Sequence, residues 1–331
     1  MAEASGGDID ALIHGFRVDA YGRAYELDWK ALQTLNIDEP GQWCWIHLNR
    51  RSTATEHWLR TEAKVDNLVL AALLQDDTRP RIISHEHGYL LNLRGVNLNP
   101  GADPEDMISL RLWATGRFVI STRATRILAA EDVRDMLRGG TAVHSSGALI
   151  AAISRQLVSR MSSVIAELDD KVDELEEQLL QNTASSSRTS ISAFRRMVLT
   201  LRRYMSPQRE ALAGFLRESE DFLVGEDRHS LRDTQDVLVR LLEDLDMIRE
   251  RALLLQEQLV EDRAEAMNDR LFVLSVISAV FLPLGFFTGL LGINVGGIPG
   301  AENPLSFWIF CALLILIVGV QTWIFKFKRW F

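Results

Sequence analysis

Hydrophobic and polar positions follow three different patterns along the 331-residue chain. From Asp10 to Arg138, strand-like runs such as GQWCWIHLNR, HGYLLNLRGVNL and ISLRLWATGRFVISTR alternate with helical stretches and turn-rich pieces such as NPGADPED. This alternation predicts an α/β domain over residues 1–140, which we expect to lie in the cytoplasm. After RGGTAVHSSG, Gly and Pro nearly vanish for more than a hundred residues, which predicts long helices.

Two polar breaks, QNTASSSRTS and VGEDRHS, divide the helical region, because their residues favour turns over helix interiors. Three long helices result: an antiparallel pair over residues 141–228 and a stalk helix over residues 229–270. Ser230 is a suitable N-cap for the stalk. No Pro or Gly separates it from Pro283, so the stalk helix is expected to continue into the apolar segment that follows.

The third pattern consists of two apolar runs, Leu271 to Leu291 and Leu305 to Phe325, with Glu302 as the only charged residue between their outer ends. Each is close to the ~20 residues that a helix needs to cross a bilayer. We therefore predict an α+β fold with two transmembrane helices near its carboxyl end. The predicted segments are residues 271–294 and 305–325 for the two spans, 295–304 for the extracytoplasmic loop and 326–331 for a basic cytoplasmic tail.

The stalk carries two opposite seams. Residues at alternating steps of three and four form an apolar seam that is expected to be buried: Leu238, Leu241, Leu245, Ile248, Ala252, Leu255 and Leu259. Two residues away, on the other side of the helix, the positions are mainly acidic and include Glu243, Glu250, Glu257 and Glu261. A solvated outer face would explain them, and so would an acidic wall along a central cation path.

At the same spacing, the second seam continues into the apolar run as mostly small and polar residues: Asn268, Leu271, Ser275, Ser278, Leu282, Gly285, Gly289 and Gly292. Gly285 and Gly289 match the small-xxx-small pattern that lets membrane helices approach closely. Taken alone, this pattern indicates helix packing. A seam shared by several copies would both pack and line a pore.

Composition excludes several classes of protein. The formal net charge of −9, with no stripe of Lys and Arg, argues against nucleic acid as a partner and is compatible with handling cations. Two cysteines, Cys44 and Cys311, make neither a disulfide framework nor a thiolate metal site. The start MAEASGGDID lacks the features of a secretory signal peptide. No phosphate loop, nucleophile elbow or H-E-x-x-H motif is present, so we expect neither an enzyme nor a bound cofactor.

Histidines offer one candidate metal site. His85 and His87 are two residues apart, and on a strand both imidazoles would share a face and could bind one zinc ion. The alternative is that SHEHG forms a strand end or a turn, in which the two imidazoles do not share a face. Cys44 and His47 would lie on opposite faces of one strand, which fits a role in the core or an interface.

The segment FLPLGFFTGLLGIN resembles the end of the first membrane helix in the CorA superfamily of divalent-cation transporters. The family's Gly-Met-Asn signature reads Gly292-Ile293-Asn294 here, and the following VGGIPG is similar to the zinc-transporting ZntB branch. Pro283 lies where the family has a proline. The segment DDTRPRIISHEHGYLLNLRG is similar to the family's entry into its central strands. The magnesium branch has acidic residues after its signature, whereas this chain has Gly296 and Gly300.

This resemblance implies a funnel-shaped homopentamer whose first membrane helix lines a central pore. Asn294 would form a ring at the mouth, with Gly292 and Ile293 completing the signature, and Glu302 would attract cations from the loop. The positions implied to face the lumen are Asn268, Leu271, Leu274, Ser278, Leu282, Gly285, Gly289 and Gly292. The implied cargo is zinc. A magnesium or cobalt channel of the same superfamily, and a membrane-anchored metal-sensing scaffold without transport, are the alternatives.

Topology follows from charge. Lys326, Lys328 and Arg329 come directly after the second apolar run, and the positive-inside rule then places both termini in the cytoplasm of a bacterial-type inner membrane. Trp323 and Trp330 would mark that interface and Trp308 the other. The expected partners are further copies of the chain, membrane lipid and divalent cations. Protons are a further candidate, through coupling to transport.

Overall fold

The computed structural model describes residues 11–33, 41–76, 79–180, 187–223, 225–293, 300 and 303–327. The chain divides into two compact units, Met1–Gln256 and Glu257–Phe331. The first contains a seven-stranded sheet and most of the helices. The second contains the carboxyl-terminal part of one long helix and the whole of another.

The sheet contains seven strands in the order β2-β1-β3-β7-β6-β5-β4. Only β3 and β7 pair in parallel; every other neighbouring pair is antiparallel. The strands are β1 (Leu12–Val18), β2 (Ala24–Leu27), β3 (Trp43–Asn49), β4 (Arg81–His85), β5 (Gly88–Gly95), β6 (Ile108–Thr115) and β7 (Phe118–Arg123). The three sequence runs predicted as strands correspond to β3, to β5 and to the β6–β7 pair, so the α/β prediction is confirmed.

Helices cover both faces of this sheet. The short ones are α1 (Trp29–Gln33), α2 (Thr53–Thr61), α3 (Asn67–Leu74) and α4 (Leu128–Arg138). Residues from α2 and α3 pack with Ile46, Leu48 and Leu90 in one buried apolar cluster. Side chains alternate across a strand, so the neighbouring strand positions point to the other face. There, Leu157 of a long helix packs close to Gly95, where it would collide with an added Cβ.

Four long helices follow the sheet: α5 (Ser146–Leu180), α6 (Ser187–Glu218), α7 (Glu226–Leu291) and α8 (Ser306–Phe327). The two predicted polar breaks fall at the junctions between α5, α6 and α7. The third predicted helix is continuous through Pro283, and it begins at Glu226, slightly before the expected Ser230. Two helices, α7 and α8, are long and apolar enough to cross a membrane.

Arg251 joins α7 to α5 through a cluster of charges. Its guanidinium contacts Asp169 at 3.0 Å and Glu176 at 2.8 Å, and it also contacts Asp173. These carboxylates raise the pKa of Arg251, mainly through the hydrogen bonds that it donates to Glu176 and Asp173. A second bridge, from Arg202 to Asp246 at 2.5 Å, connects α6 to α7. The amino-terminal half of α7 is therefore held by its own chain through charges as well as through its apolar seam.

Candidate functional site

The predicted pore-lining seam of α7 is exposed throughout its described length. Every one of its positions faces outward in the single chain: Asn268, Leu271, Leu274, Ser278, Leu282, Gly285, Gly289, Gly292 and Ile293. The partly buried positions in the same stretch are Phe272, Val276, Val280, Pro283, Leu284 and Phe287. The two sets are offset by about two residues, which is close to half a turn of an α-helix. The seam therefore lies on the side of α7 away from its packed face.

The packed face of α7 contacts α8. Nε2 of Gln321 on α8 donates a hydrogen bond to the backbone oxygen of Ala279, at 3.0 Å. Ala279 is four residues before Pro283, and proline has no N–H, so the helix itself leaves that carbonyl without its usual donor. In a bilayer, an unpaired carbonyl costs several kcal/mol. Gln321 therefore satisfies the group that Pro283 leaves free.

Sequence reasoning missed Gln321. Its signal is visible in hindsight: apart from the neighbouring Thr322, it is the only strongly polar side chain late in the second apolar run. Polar residues inside membrane spans are expected to have a partner. Identifying that partner required the register between the two helices, which the sequence does not state.

The glycines of the seam have two different roles. A Cβ added at Gly285 or Gly289 would meet no atom of the described residues within 4 Å, so nothing in that part of one copy requires glycine at either position. A Cβ at Gly292 would lie 2.9 Å from the backbone oxygen of Thr288. Gly292 ends the helix, with its N–H donating to that oxygen at 2.9 Å. Gly292 thus serves the local backbone, while the other two leave an open surface.

Hydroxyl groups on this helix are turned toward their own backbone. Ser275 donates to Leu271, Ser278 donates to Leu274, and each of these hydrogen bonds is 2.8 Å long. A serine hydroxyl that donates its single hydrogen in this way still has acceptor lone pairs on its oxygen. Ser278 can therefore present a neutral oxygen acceptor along the seam, a group suited to a cation or to its hydration water.

Two of the predicted site residues lie outside the described part of the chain. These are Asn294, the last residue of the signature, and Glu302, the carboxylate of the loop. Lys328, Arg329 and Trp330 of the tail lie outside it as well. Their predicted roles remain predictions. Ile293 is the last residue of the signature that the structure describes, and it is 49% exposed.

The amino-terminal half of α7 separates its two seams clearly. All seven residues of the predicted apolar seam are buried, from Leu238 at 0% exposure to Leu259 at 4%. The opposite seam is exposed at each position, including the predicted cation-attracting residues Glu243, Glu250, Glu257 and Glu261. Met247 and Leu254 interrupt its acidic character and are 60% and 56% exposed. The acidic face is thus exposed in the described part of the chain, which fits both interpretations of it.

A continuous stretch of α7 is exposed on every side in the described part of the single chain. Every residue from Val260 to Leu271 is exposed, whichever side of the helix it occupies. Val260 and Met267 are 61% and 63% exposed, although both are apolar. Apolar residues exposed all around one helix indicate either further protein copies or another apolar environment.

The structure does not bring the two predicted histidine ligands together on one strand. His85 is the last residue of β4, whereas His87 lies in the turn that follows. Nε2 of His85 lies 3.3 Å from Oδ1 of Asp66. Among the described residues, no three His, Cys, Asp or Glu side chains are grouped to hold a metal ion. The strand-end alternative describes the observed geometry.

Cys44 and His47 point to opposite faces of β3, and both are buried, as expected. Burial raises the pKa of Cys44 to about 12, so its thiol stays protonated. His47 stacks on His14 of β1, with 4.7 Å between the ring centroids. Burial lowers the pKa of His14 to about 3 and that of His47 well below its ordinary value. Both histidines therefore belong to a neutral, buried core.

Comparisons with known proteins match this arrangement. Residues 40–329 match the family described as CorA-like Mg2+ transporter protein. The chain is 35% identical over 332 residues to the divalent cation transporter CmaX of Pseudomonas aeruginosa, covering all of both chains. It is 34% identical over 314 residues to the zinc transport protein ZntB of Pectobacterium carotovorum, covering 93% of this chain and 95% of that one.

A solved structure supports the same assignment. The structure of the full-length CmaX protein superposes with a TM-score of 0.85 at 35% sequence identity, covering 99% of this chain and all of that one. Fold, sequence and the exposed seam after Pro283 agree with the resemblance found in the sequence. The chain therefore belongs to the CorA family of divalent-cation transporters.

Proposed function

We propose that this protein carries zinc across the bacterial inner membrane through a central path lined by α7 of several copies. The observation that carries the proposal is the exposed seam from Asn268 to Gly292, which lies opposite the face that packs on α8. Zinc is favoured because the ZntB relative is named a zinc transport protein. A magnesium or cobalt channel, favoured by the family description, is the second candidate.

A path requires several copies of the chain. Two membrane helices cannot enclose a channel, and the seam of α7 is open in a single copy. Gly285 and Gly289 have free space around them, so neighbouring copies of α7 could approach closely along the seam. A homopentamer is the assembly that the family resemblance implies, and we propose it here. The exposed stretch from Val260 to Leu271 would then gain protein neighbours.

The mouth of the path is proposed at Gly292-Ile293-Asn294. Gly292 ends the helix, and the amide of Asn294 in each copy would then form a ring around the axis. Neutral amide oxygens replace water around a hydrated cation without holding it tightly, which suits permeation. The described part of the membrane segment contains Ser278 as a further oxygen acceptor and no histidine.

Acidic residues are proposed to concentrate the cation. Glu243, Glu250, Glu257 and Glu261 are exposed on the stalk, and several copies would place many carboxylates in a confined space. Glu302 would act in the same way from the loop. Neutralising the four stalk residues should lower flux most at low ionic strength, where screening is weak. Equal flux at every salt concentration would make the stalk face an ordinary solvated surface.

The proposed orientation places both termini in the cytoplasm, because Lys326 lies in the last turn of α8 and two more basic residues come soon after it in the sequence. Labelling with a membrane-impermeant thiol reagent from outside tests it. A cysteine introduced at Ala301 should react, and one added after Phe331 should not. The opposite result would invert the topology.

The proposed function is tested by uptake of zinc and of magnesium into proteoliposomes at several pH gradients. The informative variant is Asn294→Ala, and Asn303→Ala is its control, because Asn303 is a nearby amide whose side chain accepts from the backbone N–H of Leu305. We expect Asn294→Ala to assemble but to lose most zinc flux or its preference for zinc over magnesium. Asn303→Ala should keep both.

Each outcome has a defined meaning. An assembled wild-type protein that moves neither cation would favour the membrane-anchored metal-sensing scaffold. A preference for magnesium would favour the second candidate. Wild-type rate and selectivity in Asn294→Ala would make Asn294 a helix cap and overturn the proposed mouth. A dependence of uptake on the pH gradient would identify protons as a coupled partner.

A further inference from the structure

The amino-terminal domain contains a cavity between its sheet and its short helices. Its volume is about 310 Å³, which is at the lower end of the range for small-molecule sites. It is lined by the end of α1, by Trp58 of α2, by residues 62–66, by the β4–β5 turn and by β6 and β7. Voids left by imperfect packing are usually smaller and entirely apolar. This cavity has both an apolar interior and a charged rim.

Aromatic rings form part of the wall. Trp58, Trp113 and Phe118 line the cavity, together with the buried side chains of Leu32 and Ile120. Trp58 is only 5% exposed, and its indole Nε1 is buried with no hydrogen-bond acceptor among the described residues. A buried donor of this kind is costly unless something accepts from it. An acceptor atom on a bound molecule would satisfy it.

The charged groups of the rim are mainly acidic. Three carboxylates, from Glu62, Asp66 and Glu86, line the cavity with one ammonium group, that of Lys64. The carboxylate of Asp66 is fixed: it accepts from the backbone N–H of Leu68 at 2.8 Å and lies 3.3 Å from His85. The hydrogen bond from the Leu68 N–H is the main cause that lowers the pKa of Asp66, so this group stays ionised.

The shape of the rim depends on two unusual backbone conformations. Lys64 and Glu86 are the only described residues other than glycine with positive φ, at 48° and 47°. Both line this cavity, although they come from separate loops. Both conformations have local causes: Glu86 lies in the two-residue β4–β5 turn, where positive φ is ordinary, and Lys64 follows the end of α2.

We propose that this cavity binds a small organic cation, an amine carried on a flat ring that also bears a hydrogen-bond acceptor for the Trp58 N–H. Aromatic faces attract cations, and carboxylates at the rim would pair with the ammonium group. The same carboxylates would repel an anion. A metal ion is disfavoured, because the described residues contain no group of three suitable ligands.

The test uses three probes that share one phenol ring, whose oxygen can accept from the Trp58 N–H: tyramine, 2-(4-hydroxyphenyl)ethanol and 4-hydroxyphenylacetate. They carry a positive, a neutral and a negative group on the side chain, and their binding to the purified full chain is measured by isothermal titration calorimetry against a detergent blank. We expect the amine to bind about tenfold more tightly than 4-hydroxyphenylacetate, with the alcohol between them. The titration reports binding alone, so its outcome does not depend on whether the chain transports zinc.

Variants separate this site from unspecific binding. Asp66→Asn keeps an N-cap for α3 but removes the charge, and Glu86→Gln removes a charge from an exposed turn. Each should weaken amine binding about threefold or more while leaving the alcohol unchanged. Trp113→Ala should weaken both. Glu167→Gln, at an exposed position of α5, is the matched control and should change nothing.

The proposal fails if none of the probes binds, if the three bind equally, or if 4-hydroxyphenylacetate binds most tightly. It also fails if amine binding is unchanged in all three cavity variants. Titration with Zn2+ completes the design. Displacement of the amine by Zn2+, lost in Asp66→Asn, would identify a metal site instead.

Discussion

The two halves of α7 have the same helical spacing but different surroundings. From Leu238 to Leu259 the apolar seam is buried against its own chain, and charges such as the Arg251 cluster support it. From Val260 onward, apolar side chains are exposed instead, including Leu282 at 76%. The first half is a completed helix of a folded domain, whereas the second leaves apolar surface that the proposed assembly in a bilayer would cover.

This contrast explains why the side of α7 opposite its packed face has different residues in the two halves. In the first half, the side opposite the packed face is acidic, because water solvates it. In the second half, the corresponding side has serine and glycine, and the packed side has Phe272, Phe287 and other apolar residues. Small residues on an open membrane face are more consistent with a surface shared between copies than with one facing lipid alone.

The largest expected effect sharpens this contrast. Gly285→Leu should reduce cation flux more than tenfold, because the leucine side chain would fill the space along the shared seam. Gly319→Leu on α8 is the control and should have little effect. Both glycines have open space within one copy, so a single fold tolerates either change. Flux into proteoliposomes is measured beside the oligomeric state in detergent. Normal flux and normal assembly of Gly285→Leu would remove the seam from any interface or path.

The oligomeric state tells two mechanisms apart. If Gly285→Leu assembles normally but loses flux, the seam lines the path. If it no longer assembles, the seam packs copies together. Either result supports a shared surface, and the second would return Gly285 and Gly289 to the packing role that the small-xxx-small pattern indicates by itself.

A smaller effect is expected in the amino-terminal domain, whose core is buried within the single chain. His14 has a pKa of about 3 when folded and an ordinary value of 6.5, so between these values the unfolded chain binds a proton that the folded chain does not. Stability should therefore fall as pH drops below 6.5, by about 1.4 kcal/mol per pH unit for this residue. Burial is the main cause, and Arg134, Arg123 and Arg138 add repulsion.

The variant His14→Phe keeps a buried ring and removes this titration. Thermal unfolding of the full chain between pH 7 and pH 4 should then depend on pH less steeply than in the wild type, with His47 still contributing. His87→Gln is the control, because His87 is exposed in a turn. An unchanged pH dependence in His14→Phe would mean that His14 is already charged or is hydrated in solution.

The smallest expected effect concerns the contact between the membrane helices. Gln321→Leu should lower stability by about 1 kcal/mol, since the carbonyl of Ala279 loses its donor. Thr322→Val is the matched control, because the Thr322 hydroxyl bonds within its own helix, to Val318 at 2.9 Å. Pro283→Ala would restore the helical N–H to Ala279, so Gln321→Leu should cost less in that background.

The measurement is a double-mutant cycle on thermal or denaturant unfolding in detergent micelles. A coupling energy near zero between positions 283 and 321 would show that the two residues act independently. The hydrogen bond from Gln321 would then be incidental to the stability of the helix pair.

Much of the fold was predictable because periodicity follows directly from burial. The apolar seam from Leu238 to Leu259 repeats at helical spacing, and each of its residues is buried. The alternation in WCWIHL likewise placed Cys44 and His47 on opposite faces of a strand. Local signals of this kind depend only on residues close together in the chain.

Features that depend on distant pairing were not predictable. The His14–His47 stack requires the pairing of β1 with β3, and the hydrogen bond of Gln321 requires the register of α8 on α7. The histidine hypothesis assumed a strand that includes both His85 and His87, whereas β4 ends at His85, two residues too early. The family resemblance supplied the mouth of the path at Asn294, and that residue remains a prediction outside the described structure.

The central claim is that the exposed seam of α7 faces a water-filled cation path. Substituted-cysteine accessibility tests it most directly, in a background in which Cys44 and Cys311 are serine. Ser278→Cys lies on the seam, and Ile315→Cys lies on α8, where Ile315 is 73% exposed. We predict that a charged, water-soluble thiol reagent modifies Ser278→Cys and blocks zinc flux, and leaves Ile315→Cys unmodified. Modification of Ile315→Cys with Ser278→Cys protected would contradict the account.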